Sequence, residues 1–226
     1  MANRSYLYSL SNRPSAYADR PETISGLSEW AYCVPFSYRV LMSGNPTMCS
    51  SLISDGFAAE EDGDGEKPRL YAISSGFDAG FARLKKFFTV LNAAVTDAPY
   101  LAEEIKDGLA FLEAHRDGYL LLETIELDVM TESEESKLRA CVEAEIEQCR
   151  HAGAAVDALP ENVEEAAELL KQAARRPNGS VLDAFFGLQL NESYDHSRFD
   201  YPIGVSEWSE ILYFGLWNRT EFEANR

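Results

Sequence analysis

The chain has 226 residues, 46% of them hydrophobic and 12% aromatic, enough to close a continuous core and to set it apart from disordered sequences. Its formal charge is −18, from 38 acids against 20 bases, a field that repels phosphate backbones and anionic lipid and so disfavours direct binding to nucleic acid or a membrane surface. No apolar run approaches the roughly 18 to 20 residues that span a bilayer, and the first residues lack the features of a secretory signal, which together predict a soluble, cytoplasmic chain.

Residues 3–10 alternate in polarity and run into Asn12 to Pro14, which predicts a first strand. Pro14 to Ser28 is polar, holds two prolines, and reads as a connecting loop. Aromatic and β-branched composition predicts a second strand over Tyr32 to Ser43, with Pro35 confining its start to an edge or a bulge. Gly44-Asn45-Pro46 then opens an expected short helix through Asp55, Pro46 falling in its first turn. The acidic stretch 60–68 reads as a turn before a strand at Arg69 to Ser74. The next segment has the clearest period in the chain. Phe77, Phe81, Leu84, Phe88, Leu91 and Val95 fall on one face of a helix, with Ser75 or Asp78 as its cap.

A further helix is expected from Pro99 to about His115, and strand composition extends from Gly118 to Met130. Thr131 and Glu134 have capping-box spacing for a helix to Gly153, lined by Leu138, Val142, Ile146 and Cys149. From Glu161 to Arg176, acids lead and bases close a helix that Pro177-Asn178-Gly179 stops. Strands are predicted at Ala184 to Leu190 and Ile211 to Trp217. This order is not a regular βαβ alternation. It predicts an α+β fold, a mixed and mainly antiparallel sheet packed against several amphipathic helices, as one domain over residues 1–226.

Few segments carry chemistry. Glu60, Asp62, Asp64 and Gly65 imitate the start of a calcium loop, but Tyr71 stands where the bidentate Glu is required, so no metal is expected. Ser74-Ser75-Gly76 lies where a nucleophile elbow would, yet Ala72 replaces the leading glycine of GxSxG, and a helix cap is the better reading. His115 and His151 fall near predicted helix C-termini, where positive charge is favourable. Asp195, His196 and Arg198 sit among tyrosines in residues 191–201; neighbours in a strand point to opposite faces, so a polar loop is favoured, partner or ligand binding next, and catalysis last. Cys33, Cys49, Cys141 and Cys149 have no CxxC spacing and read as reduced thiols. Gly26-Leu27-Ser28-Glu29-Trp30 is echoed by Gly204-Val205-Ser206-Glu207-Trp208, too short a match to establish duplication.

Three stretches carry a resemblance: MANRSYLYS at the start, SEWAYCVPFSYRVLMSGNPTMCSSLI at residues 28–53, and GVSEWSEILYFGLWN at residues 204–218. They resemble an uncharacterised bacterial family of cytoplasmic proteins. The resemblance implies a bacterial setting and carries over no catalytic residue. The acid is unevenly placed: residues 101–170 hold 19 Asp and Glu against five Lys and Arg, a net of −14. Solvated helix faces explain such a run; so does a surface that meets a basic partner. The functional expectation is an acidic protein-binding protein of the immunity or antitoxin type that neutralises a basic partner such as a toxin nuclease, not an enzyme, and without a cofactor. Its candidate contacts are Glu132, Glu134 and Glu135, the acids Glu60, Glu61, Asp62 and Asp64, and Tyr194, Asp195 and His196. The alternative is a small-molecule binder or enzyme without a recognisable motif, built on Tyr194, Asp195, His196 and Arg198.

Overall fold

The structure, a computed structural model, describes residues 3–56, 69–195 and 201–226. Five strands form one antiparallel sheet in the order β2-β1-β5-β4-β3, where β1 is Arg4–Leu10, β2 Ile24–Ala31, β3 Thr47–Ser50, β4 Tyr71–Gly76 and β5 Tyr119–Glu123. The α+β expectation holds. Register pairs Leu7 and Ile73 with Leu122, and Tyr8 with Leu121. Because side chains alternate across a strand, Leu7, Ile73, Leu120 and Leu122 face one layer while Tyr6, Tyr8, Leu10 and Leu121 face the other. β1 is therefore buried on both faces from Ser5 onward.

Helices cover the first face: α1 (Phe36–Met42), α2 (Phe77–Ala94), α3 (Leu101–Ala114), α5 (Glu135–Asp157) and α6 (Val163–Arg175), with the single turn α4 at Ile125–Asp128. The predicted stripe of α2 is buried along its whole length. Gly80 lets α1 and α2 meet backbone to backbone, since a Cβ there would stand 1.7 Å from the Leu41 carbonyl oxygen. Phe36 and Phe87 pack edge to face with ring centroids 5.0 Å apart. Between α1 and α5, the half-buried Arg39 guanidinium donates to both Glu145 carboxylate oxygens at 2.6 and 2.9 Å and to the Tyr201 hydroxyl at 2.6 Å.

The second face is covered by a strap, residues 209–217, whose Leu212, Phe214 and Leu216 pack on Tyr6, Tyr8, Leu10 and Leu121. The Tyr8 hydroxyl donates to the Phe214 carbonyl at 2.8 Å. A last short helix, α7 (Arg219–Ala224), is capped by Asn218 and Glu221 in a reciprocal capping box.

Several elements differ from expectation. The segment Tyr32 to Ser43 supplies helix α1, not a strand: Phe36, Tyr38, Val40, Leu41 and Met42 are buried all around, so no polar face marks the helical period, and Pro35 serves as N-cap. Residues 47–50, expected in a helix, are strand β3, which Pro46 precedes. β2 replaces part of the expected loop at Pro14 to Ser28; as an edge strand built on Ser25, Gly26 and Ser28 it lacks an apolar alternation. β5 stops at Glu123 instead of continuing to Met130. α5 starts at Glu135, with Glu134 as N-cap and no side-chain cap bond, so the capping box at Thr131 does not form. α5 runs on to Asp157, which leaves His151 within the helix. Gly76, rather than Ser75 or Asp78, is the N-cap of α2, and Ser75 Oγ accepts the Asn45 N–H at 2.8 Å.

Towards the end of the chain, the strand expected at Ala184 to Leu190 does not form: a 3-10 turn, Val181–Phe185, ends there and Leu188 makes a single bridge to Tyr201. Ile211 to Trp217, expected as a strand, is instead a strap that alternates in exposure and lies across the sheet without joining it. The two echoed pentapeptides touch: Ser28 Oγ donates to the Glu207 carbonyl at 2.6 Å, and the Ser209 N–H to the Leu27 carbonyl at 2.9 Å. The first is strand; the second holds Gly204 at φ 78 and Glu207 at φ 67, so the match is not a structural repeat.

Candidate partner-binding surface

Among the described residues, the acids expected at the contact are engaged within the chain. Glu134 and Glu132 approach the Lys137 ammonium at 3.1 and 3.7 Å. Glu135 accepts the Arg69 N–H at 3.0 Å and the Tyr71 hydroxyl at 2.8 Å, and these bonds hold its carboxyl below the ordinary range. It ties the start of α5 to the start of β4. Asp195 accepts N–H groups of Gly204, Val205 and Ser206 at 2.6, 2.7 and 2.9 Å, a nest of backbone donors that gathers residues 204–206 around one carboxylate. Tyr194 is buried and its hydroxyl donates to Glu104 on α3. Tyr194 therefore ties residues 191–195 to α3, and Asp195 ties them to residues 204–206. Glu60, Glu61, Asp62, Asp64, His196 and Arg198 lie outside the described residues.

Sequence reasoning missed a buried ionic site on the strap side of the sheet. Glu123, opposite Tyr6 in register, has no exposed surface; it accepts the Leu52 N–H at 2.6 Å and the Ser51 hydroxyl at 2.8 Å. Burial pushes its carboxyl up to about 7, against the opposing pull of those two donors and of the Arg20 charge. Arg20 is 3% exposed and packs over the rings of Tyr17 and Phe222, 4.4 and 4.6 Å from their centroids. A cleft of about 600 Å³ opens beside this site, lined by Tyr17, Cys49, Ser51, Tyr71 and Arg139 among others. The strand-like run YLLLETIE contained Glu123, but nothing local marked its burial. The four cysteines are free thiols, and no cluster of three or more His, Cys, Asp or Glu able to hold a metal occurs among the described residues.

Acid outweighs base across the surface. Many of the bases are spent on neighbouring acids: Arg4 on Glu29 at 3.0 Å, Arg83 on Asp157 at 2.7 Å, Arg116 on Asp78 at 2.8 Å, Arg139 on Glu143 at 3.0 Å and Arg219 on Glu22 at 2.6 Å. Glu103 and Asp107 on α3, Glu164 and Glu165 on α6, and Glu207 and Glu223 are exposed and enter no ion pair among the described residues. Glu164 and Glu165 sit at the positive end of the α6 dipole, which accounts for that pair locally. Glu103 lies likewise in the first turn of α3, whereas Asp107, Glu207 and Glu223 sit at no helix N-terminus.

The family model described as "Domain of unknown function (DUF7822)" matches residues 11–177, about three quarters of the chain. The chain belongs to this family. No curated protein and no solved structure matches it. The DUF7822 match runs from the loop before β2 through α6, and so contains Arg20, Glu123 and the Arg39–Glu145 pair. β1, the Asp195 nest and the strap lie outside the matched residues of this DUF7822 protein. No helix among its described residues is long and apolar enough to cross a membrane.

Proposed function

We propose that this protein is an acidic protein-binding protein of the immunity or antitoxin type, acting in a bacterial cytoplasm to neutralise a basic partner such as a toxin nuclease domain. The observation that supports the reading is the excess of carboxylate, 38 acids against 20 bases, many of the acids exposed and, among the described residues, without an ion pair. Ten of the bases pair with acids within the chain, and carboxylates such as Glu103, Asp107, Glu207 and Glu223 project without an ion pair among the described residues. A surface of this sign speeds encounter with a cationic protein and imitates the phosphates that a nuclease site is built to hold. The local engagement of Glu132, Glu134 and Glu135 moves the expected contact away from the start of α5. The test is direct binding and protection. Purified products of the adjacent reading frames are titrated with the full chain; a basic product that binds and loses its activity supports the reading, and failure to bind or inhibit any of them refutes it.

A second reading, small-molecule binding, draws on the cleft beside Ser51 and the ionisable Glu123 behind it. A ligand that raises the melting temperature of the full chain, and fails to do so with Tyr71→Ala, would favour it.

A further inference from the structure

Single apolar residues scattered on a surface are ordinary, but the strap concentrates them. From residue 211 to residue 217 exposure alternates without a break, Leu212, Phe214 and Leu216 facing the sheet. The outward set is Ile211, Tyr213 and Trp217, at 84%, 55% and 49% exposure. The Tyr213 ring is steadied by the Arg4 guanidinium, 5.5 Å from its centroid, which Glu29 pairs at 3.0 Å; Glu29 also accepts the Tyr213 N–H at 2.6 Å. The ridge is thus held in place from beneath, so little ordering is needed when it meets another surface.

The backbone adds to this. The N–H groups of Leu212, Phe214, Gly215, Leu216 and Trp217 make no hydrogen bond among the described residues, leaving donors for an arriving chain. Carboxylates flank the ridge in sequence: residues 207–223 hold Glu207, Glu210, Glu221 and Glu223 against Arg219 alone, and Glu22 already pairs that arginine. Aromatic anchors within a charged rim are the anatomy of an interface core.

The charge chooses the occupant. A second copy would bring the same acidic rim and another −18 to the contact, and an anionic lipid surface meets the same repulsion. We infer that the outer face of the strap, Ile211, Tyr213 and Trp217, is the docking surface for a basic protein, whose apolar side chains cover the ridge while its Lys and Arg meet Glu207, Glu210 and Glu223. This rests on the basic-partner reading above and names the face it uses.

The experiment selects a phage-displayed library of random peptides against the full chain. Enriched sequences are expected to combine Lys or Arg with aromatic or aliphatic residues. Their synthetic peptides should lose about tenfold or more in affinity towards the triple variant Ile211→Ala, Tyr213→Ala, Trp217→Ala. Ile211→Lys alone should also weaken them; its side chain is the most exposed of the three, so the fold is retained. Peptides that bind wild type and both variants equally, or a selection that enriches nothing, overturn the docking surface. Enriched peptides that lack cations yet depend on the ridge overturn the basic partner and leave the surface standing. A wild-type dimer in sedimentation that the triple variant loses would assign the ridge to a second copy and overturn the proposal.

Discussion

Glu123→Gln tests the buried ionic site by the pH dependence of folding. In the folded chain the carboxyl is raised from 4.5 to about 7, a difference worth roughly 3 kcal/mol. The folded state therefore holds this proton longer than the unfolded chain does. Its contribution is fully favourable below pH 4.5, falls as pH rises from about 4.5 to about 7, and is flat above. The groups that oppose the rise are the Leu52 N–H and Ser51 hydroxyl, which donate to it, the Arg20 charge and the Ile53 backbone. A glutamine preserves both contacts, accepting from Leu52 and donating to the Ser51 oxygen, and carries no charge. Urea unfolding of wild type and variant at pH 5, 6, 7 and 8 isolates the effect, because Asp128, raised to about 6 by its own burial, contributes equally to both. The two proteins should differ little at pH 5, and the variant should be more stable by up to roughly 3 kcal/mol at pH 8. A difference that does not change from pH 5 to pH 8 would refute the assignment.

Asp195→Asn leaves one acceptor oxygen for a nest of three backbone donors, and a loss of about 1–3 kcal/mol is expected in the same unfolding assay. Gly80→Ala drives a methyl into the Leu41 carbonyl, so α1 and α2 must separate; a loss above about 2 kcal/mol is expected, and a wild-type melting temperature would contradict the close approach. Charge reversal separates local pairing from contact. Glu132→Lys with Glu134→Lys should leave partner affinity within about twofold, whereas Glu135→Gln should lower stability by weakening the bonds to Arg69 and Tyr71, read as a shifted urea midpoint.

How far the sequence reached depends on whether each element shows one face to water. α2 announces itself because its stripe from Phe77 to Leu91 has an exposed opposite side. α1 does not, since almost every residue from Phe36 to Met42 is buried and the periodic signal vanishes. β2 fails for the opposite reason, an edge strand whose Ser and Gly residues pass for a loop. The extended character of residues 211–217 was legible, but its use as a strap, rather than a strand in the sheet, depends on Tyr6, Tyr8 and Leu121 waiting beneath it. At the candidate site the limit is distance along the chain. Glu123 is shut from water by Ser51 and Leu52, more than 70 positions away, and no local pattern foretells that. Asp195 resembled half of an Asp–His pair, while its carboxylate serves N–H groups nine to eleven residues downstream.

Binding of a basic partner, and its dependence on charge, can be measured in one titration. Calorimetry of the full chain against the basic products of adjacent reading frames, at low and at high salt, should yield one complex whose affinity drops as salt rises. That complex should be lost when Ile211, Tyr213 and Trp217 are all alanine. No complex with any basic product, or one indifferent to both salt and the strap, would contradict the account.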